Sequence, residues 1–311
     1  LVLHNYMDFD DLKDYVKISY ELTQDGLVIS KGKLPEVSAA PHSEGKINLK
    51  INVPESGKCY LKFIYHLKKE LPLLDEDHIL GFDEIEVSQK DAKCQLAEKW
   101  VEKTVTDSEL QVSEDDTQIH IKGREFAYTI DRRTALFTEM KFAGREYLNH
   151  PMELNIWRAP TDNDMYIKSE WKKAHYDKAY TRAYTTEVVQ GKHGVKITSH
   201  ASVVAETVQK ILDVMITWKI EVAGKIDADI EVTKDDEFPD LPRFGVRMFL
   251  DKKLSAARYF GMGPQESYCD KHQAASHGLY QANVDDLHED YIRPQENGSH
   301  YDCEYVELNN S

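Results

Sequence analysis

The densest run of side chains able to hold a ligand is Trp157-Arg158-Ala159-Pro160-Thr161-Asp162-Asn163-Asp164. The Arg158 guanidinium can fork onto a carboxylate or onto sugar hydroxyls. Pro160 stiffens the loop, and Asp162, Asn163 and Asp164 place three polar groups on adjacent positions. That density of amide and carboxylate suits a hydroxyl-rich ligand. It equally suits an Asx turn bonded to itself, and both readings stay open. A second segment, Gly261-Met262-Gly263-Pro264-Gln265-Glu266-Ser267-Tyr268-Cys269-Asp270, must be an irregular loop, because its glycines and Pro264 break a strand. Glu266 and Asp270 project from it, either toward a ligand or as staples inside the fold. A third, Pro294-Gln295-Glu296-Asn297-Gly298, carries an acid and an amide between Pro and Gly.

Other chemistries find no motif. There is no G-x-G-x-x-G, Walker A loop, H-E-x-x-H or G-x-S-x-G. The acidic clusters Asp235-Asp236-Glu237 and Asp285-Asp286 lack the ligand spacing of an EF-hand and read as solvated turns. Cys59, Cys94, Cys269 and Cys303 form no C-x-x-C pair, so they read as free thiols of a cytoplasmic protein. The triplet Asn297-Gly298-Ser299 reads as a chance glycosylation acceptor. With 39 basic against 55 acidic residues, the formal net charge is -16. Such a surface repels phosphate backbones and anionic lipid, which argues against nucleic-acid or membrane partners. No apolar run approaches the roughly 20 residues of a membrane helix.

The elements that would position these loops are strands. Val16, Ile18, Tyr20 and Leu22 alternate with polar residues up to a turn at Gln24-Asp25-Gly26, followed by Leu27-Val28-Ile29. Ile47 to Val53, Leu61 to Leu67 and Phe82 to Val87 continue the pattern. Short alternating strands between Gly/Pro turns describe an immunoglobulin-like β-sandwich over 1–88. The pattern lapses over a linker at 89–105. It resumes at Ile119-His120-Ile121, Phe126 to Ile130, Val195 to Val204, Val208 to Val222, Ile226 to Val232 and Arg243 to Leu250. These long strands predict a large sandwich of two broad sheets over 106–311. The one helical patch is Lys168 to Tyr180, where Trp171, Ala174, His175 and Lys178 fall at helical spacing. At 311 residues, two domains are expected. The start at Leu1, without Met or a leader pattern, reads as a piece of a longer chain.

Taken in order, the three loop segments resemble the C-terminal part of bacterial β-galactosidases of the large family-2 glycoside hydrolase type. That family carries R-A-P-x-D-N-D, then over a hundred residues on G-x-G-P-x-E-N-Y-x-D-R, then P-x-E-N-G. Here these stand at Arg158 to Asp164, Gly261 to Lys271 and Pro294 to Gly298. His4-Asn5-Tyr6-Met7-Asp8-Phe9 and the first strands resemble the family's second immunoglobulin-like domain. Departures are Ser267 for Asn, Lys271 for Arg, His300 for Arg, and Met165-Tyr166-Ile167 in place of a glycine-hinged loop.

The resemblance implies an all-β chain, an immunoglobulin-like β-sandwich followed by a mutarotase-like β-supersandwich cut short at its C-terminus. It implies hydrolysis of terminal β-D-galactose residues, as in lactose, by a parent protein roughly three times longer. The two glutamates of retaining hydrolysis, about 5–5.5 Å apart, would lie on a (β/α)8 barrel outside these residues. No catalytic or metal-binding residue is therefore expected here. No cofactor is expected in this piece, and Mg2+ and Na+ are expected for the intact enzyme. Arg158, Asp162, Asn163 and Asp164 become candidates for the substrate rim, and Glu266, Asp270, Glu296 and Asn297 candidates for loop roles. Expected partners are a galactoside, the barrel of the same chain or of a large subunit, and further copies in a homo-oligomer. Two alternatives remain, a free-standing carbohydrate-binding or mutarotase-like protein and a purely structural module.

Overall fold

The computed structural model describes residues 1–90, 92–95, 97 and 110–310. The chain is all-β, as expected, with antiparallel sheets throughout. Its first strands are β1 (Val2–His4), β2 (Val16–Gln24), β3 (Leu27–Lys33), β4 (Glu44–Lys46), β5 (Cys59–Leu67) and β6 (Ile79–Glu86). Next come β7 (Gln111–Glu114), β8 (Gln118–Lys122), β9 (Phe126–Asp131), β10 (Leu136–Phe142), β11 (Arg145–Glu146) and β12 (Leu148–Asn155). Then follow β13 (Tyr180–Gly191), β14 (Gly194–Val204), β15 (Leu212–Glu221), β16 (Ile226–Lys234), β17 (Gly245–Leu250), β18 (Ala256–Gly263), β19 (Ser276–Asn283) and β20 (Tyr305–Asn309). All four cysteines are free. Among the described residues no helix is long and apolar enough to cross a membrane.

Two compact units emerge, and both are discontinuous in sequence. One comprises Leu1–Trp100, Ala256–His288 and Gly298–Leu308, the other Val101–Ser255, Glu289–Asn297 and Asn309–Ser311. The strand pattern of the sequence predicts continuous domains at 1–88 and 106–311, and the compact units interleave along the chain. The linker expected over 89–105 falls largely outside the described residues.

In the first unit, β3-β2-β5-β6 form an antiparallel sheet. β2 and β3 meet at Asp25-Gly26, both at positive φ (49° and 81°). A two-residue turn with φ > 0 at both positions matches the right-handed twist of the strands it joins. One face of the sheet buries Ile18, Leu22, Leu61 and Phe63 against Leu3, Val37 and Ile47. The other face is covered too, because Tyr60 on β5 packs with Cys94 and with Phe260 of β18. Cys59, Tyr60 and Leu61 are consequently all buried in succession. β19-β18-β20 make the unit's three-stranded sheet.

The expected strand over Ile47 to Val53 is not a ladder strand. Ile47 is buried and Leu49 and Ile51 pack on the core, yet only β4, ending at Lys46, pairs with β1. Side-chain burial alone produced the alternation there.

The second unit contains a five-stranded meander, β11-β10-β9-β8-β7, and a four-stranded one, β13-β14-β15-β16. β15 sends Leu212, Val214, Ile216, Trp218 and Ile220 inward, and β14 sends Val195, Ile197, Ala201 and Val203. They share one core with Ile119, Ile121, Ile130 and Phe137 of the other sheet. Each of the buried Val, Leu, Ile and Phe side chains stabilises the fold by about 1.5–3 kcal/mol relative to exposure. Trp218 stitches the sheets, donating its Nε1 to the Ala135 carbonyl at 2.8 Å and meeting Phe137 edge-on at 4.9 Å.

The helix expected from Lys168 to Tyr180 is shorter. α-Helical residues run only from Lys168 to Lys173, and His175 then turns left-handed at φ 58°. Side-chain anchors decide this break. Trp171 Nε1 donates to the Asp240 carbonyl at 2.8 Å and the Tyr176 hydroxyl to the Pro239 carbonyl at 2.6 Å. A continuous helix would separate those two rings by about 100° per residue around its axis, so the turn at His175 is what lets both bury.

Candidate functional site

The chain leaves β12 through buried Ile156 and enters the first polar loop. Pro160 precedes a single 3-10 turn, Asp162–Asp164. Asp164 points inward and is 6% exposed. Both its oxygens accept from Arg158 Nη2, at 2.9 and 3.0 Å. Its Oδ2 also accepts from the Thr161 amide at 2.8 Å and from Thr161 Oγ1 at 3.0 Å. The carboxylate thus caps the turn's own amino end, as an acid at N3 does in a capping box. Asp162 and Asn163 face outward, followed by Met165 and Tyr166, which are 56% and 81% exposed.

The third segment's first half meets this loop within the same unit. The Glu296 amide donates to the Ala159 carbonyl at 3.2 Å. The Glu296 carboxylate accepts from Arg243 Nη1 at 2.7 Å, while Arg243 Nε donates to Asn155 Oδ1 and the Trp157 carbonyl, each at 2.8 Å. Gln295 Oε1 accepts from the Asp162 amide at 3.3 Å. Asn297 is engaged locally, accepting from the Glu289 amide and donating to the Gln295 carbonyl, both at 3.1 Å. Of the first-loop candidates, Arg158 and Asp164 hold the loop's shape and Asp162 and Asn163 present side chains outward.

The second segment follows β18 in the other unit. The Glu266 side chain is 6% exposed, pairs with Lys271 and accepts from the Gly298 amide at 2.9 Å. Gly298 takes φ 71°, a conformation glycine adopts without strain. Ser267, at the position where the resembled pattern has Asn, is fully buried. Its amide donates to the Ser299 carbonyl at 2.7 Å and its hydroxyl oxygen accepts from the Tyr301 amide at 2.8 Å. Gly261 admits the returning chain, since a Cβ there would stand 2.8 Å from Cys303 Cα. Asp270 is exposed. Glu266 and Ser267 therefore clamp the segment after Gly298.

One cluster escaped sequence reasoning. A groove of about 900 Å³ in the first unit is lined by Tyr60, Phe82, Glu84, His272, His277 and Asp302 among others. His277 Nδ1 stands 2.7 Å from Glu84 Oε1, and Nε2 stands 3.0 Å from Asp302 Oδ2. The imidazole stacks on Tyr60 with centroids 4.0 Å apart. Burial disfavours its charge, but Glu84 and then Asp302 outweigh burial and raise its pKa above the ordinary imidazole value. No spacing marks these residues, since Glu84 and His277 are 193 positions apart.

Among the described residues, no three His, Cys, Asp or Glu side chains form a group that could hold a metal ion.

Residues 122–311 match the family described as beta galactosidase small chain. This chain belongs to that family. Residues 1–88 match beta-galactosidase, domain 4. The β-galactosidase of Actinobacillus pleuropneumoniae is 39% identical over 100% of this chain and 30% of its own length. That of Staphylococcus xylosus is 29% identical over 99% of this chain, again 30% of its own. That of Pseudoalteromonas haloplanktis is 23% identical over 97% and 30%. The chain thus spans about 30% of the length of the curated relatives it matches.

Proposed function

We propose that this chain is the non-catalytic C-terminal portion of a β-galactosidase that hydrolyses terminal non-reducing β-D-galactose residues of lactose-type substrates. The observation that carries the reading is coverage. Two β-galactosidase family matches follow one another along the chain, and a β-galactosidase aligns with all of it at 39% identity. The nucleophile and the acid/base carboxylates of such a reaction belong to the rest of the parent protein, as do its Mg2+ and Na+. The barrel that bears them is the chain's partner, in one polypeptide or as a large subunit, and the intact enzyme self-associates. Four free cysteines accord with a cytoplasmic setting.

Within that enzyme, Asp162 and Asn163 with Met165 and Tyr166 contribute to the rim of the substrate site. Arg158 and Asp164 set the loop's shape, and Glu266, Asp270, Glu296 and Asn297 act in loop anchoring. The outward polar pair and exposed apolar neighbours support this division. A chromogenic β-galactoside tests the main reading. The chain alone should leave it intact, and the chain joined to its parent barrel should hydrolyse it. Hydrolysis by the chain alone overturns the proposal. Ala at Asp162 or Asn163 in the intact enzyme should raise KM or lower kcat, and unchanged kinetics would remove the rim assignment.

A further inference from the structure

We propose that His277 is a protonation-controlled clasp that holds the segment around Asp302 to β6 while the imidazole is charged and releases it when the proton is lost. Each ring nitrogen faces a carboxylate oxygen, Nδ1 toward Glu84 at 2.7 Å and Nε2 toward Asp302 at 3.0 Å. A neutral imidazole has one N–H and one lone pair. It can satisfy one carboxylate only, leaving a lone pair against the other. The imidazolium donates to both.

The two acids are not equivalent, which decides where the clasp opens. Glu84 is 10% exposed and also accepts from the His277 amide, at 3.0 and 3.1 Å to its two oxygens. Asp302 is 62% exposed and sits at a positive φ of 50°. Asp302 is therefore the side that lets go. Its neighbours carry the contacts of the Ser299 carbonyl and the Tyr301 amide with Ser267 described above, and in addition the Glu304 amide donates to the Phe260 carbonyl at 2.8 Å. Opening the clasp loosens the grip on the Glu266–Ser267 loop.

The charged surroundings favour the proton. From β6, Asp83 and Glu86 line the same groove, and His272 lines it from the loop before β19. From β5, Lys62 is turned to Ser276 Oγ at 2.9 Å and over the Phe82 ring. Lys58 pairs with Glu86 and Glu304. The Tyr60 phenol beneath the ring and the Cys303 thiol beside Asp302 are both pushed up by burial, the thiol to about 11, so neither competes as an anion near neutrality. Because the folded imidazole pKa lies above its unfolded value of about 6.5, the clasp is fully made below that pH. It is lost as pH rises through the folded value.

The test is hydrogen exchange of the full-length protein between pH 6 and 9, corrected for intrinsic exchange chemistry. Protection of 299–304 should fall by up to about tenfold per pH unit across the window between the unfolded and folded values. His277→Gln, which can donate to one acid but cannot titrate, should give a flat profile. Exchange of the His277 C2 proton in the unmodified protein should report a pKa above about 6.5, and Asp302→Asn should lower it. Flat protection in the unmodified protein, an equal slope in His277→Gln, or a His277 pKa at or below about 6.5 overturns the proposal. Should His277→Gln fail to fold, the C2 measurements on the unmodified protein and on Asp302→Asn decide it.

Discussion

Asp164 and His277 are both buried ionisable side chains, 6% and 8% exposed, and each is held by several polar contacts. They are built differently. Asp164 takes its partners from Arg158 and Thr161, no more than six residues away, and its contacts close one short loop. His277 joins Glu84 and Asp302, 193 and 25 residues distant, and its contacts exist only after three stretches of chain have assembled. Closing a long loop carries an entropy cost that the contact itself must offset. The local cluster shapes a loop that the rest of the fold then uses, whereas the distant one reports that assembly has happened.

The largest test of this contrast is Asp164→Ala. It leaves Arg158 half-buried without its carboxylate and should cost about 3–5 kcal/mol in denaturant unfolding. A loss under about 1 kcal/mol would mean the loop is held by other contacts. Glu84→Ala comes next, at about 1.5–3 kcal/mol near pH 6, because it strips donors of a charged group of their acceptor. Its penalty should shrink toward pH 9, since the stabilisation it removes is present at low pH and lost as the proton leaves. An equal penalty at both pH values would make His277 as pH-indifferent as a merely structural contact. Asp302→Ala, at an exposed acid, should cost about 0.5–1 kcal/mol. Asp162→Ala should change stability by less than about 0.5 kcal/mol while altering the kinetics of the intact enzyme, which would separate outward from inward polar residues on one loop.

The same contrast governs what could be read from the chain. β14 and β15 were legible because each hides one face, so their buried residues recur at every second position. Ile47 to Val53 showed that alternation reports burial, not pairing, as Ile47 is buried beyond the last ladder residue. Cys59-Tyr60-Leu61 carries no alternation because its sheet is covered on both faces. The helix ended early because two rings needed anchoring on one short stretch, a tertiary demand invisible at helical spacing. The three polar loops stood out by composition, since Gly, Pro and clustered acids are rare together in strands. Composition left open that Asp164 faces in and Asp162 faces out. Glu84, His277 and Asp302 sit in ordinary local sequence, and only the fold brings them together.

The interleaving of the two units has a consequence for synthesis. The first unit is completed only by Ala256–His288 and Gly298–Leu308. At about 5–20 residues per second, the stretch between its pieces takes on the order of ten seconds to emerge from the ribosome. For that interval Tyr60 and Glu84 lie on a nascent sheet whose covering strands have not yet been made. Until β18 and β19 arrive, the face that carries Tyr60, Phe82 and Glu84 lacks the strands that close over it, so the groove and its charged cluster are among the last features of the first unit to form.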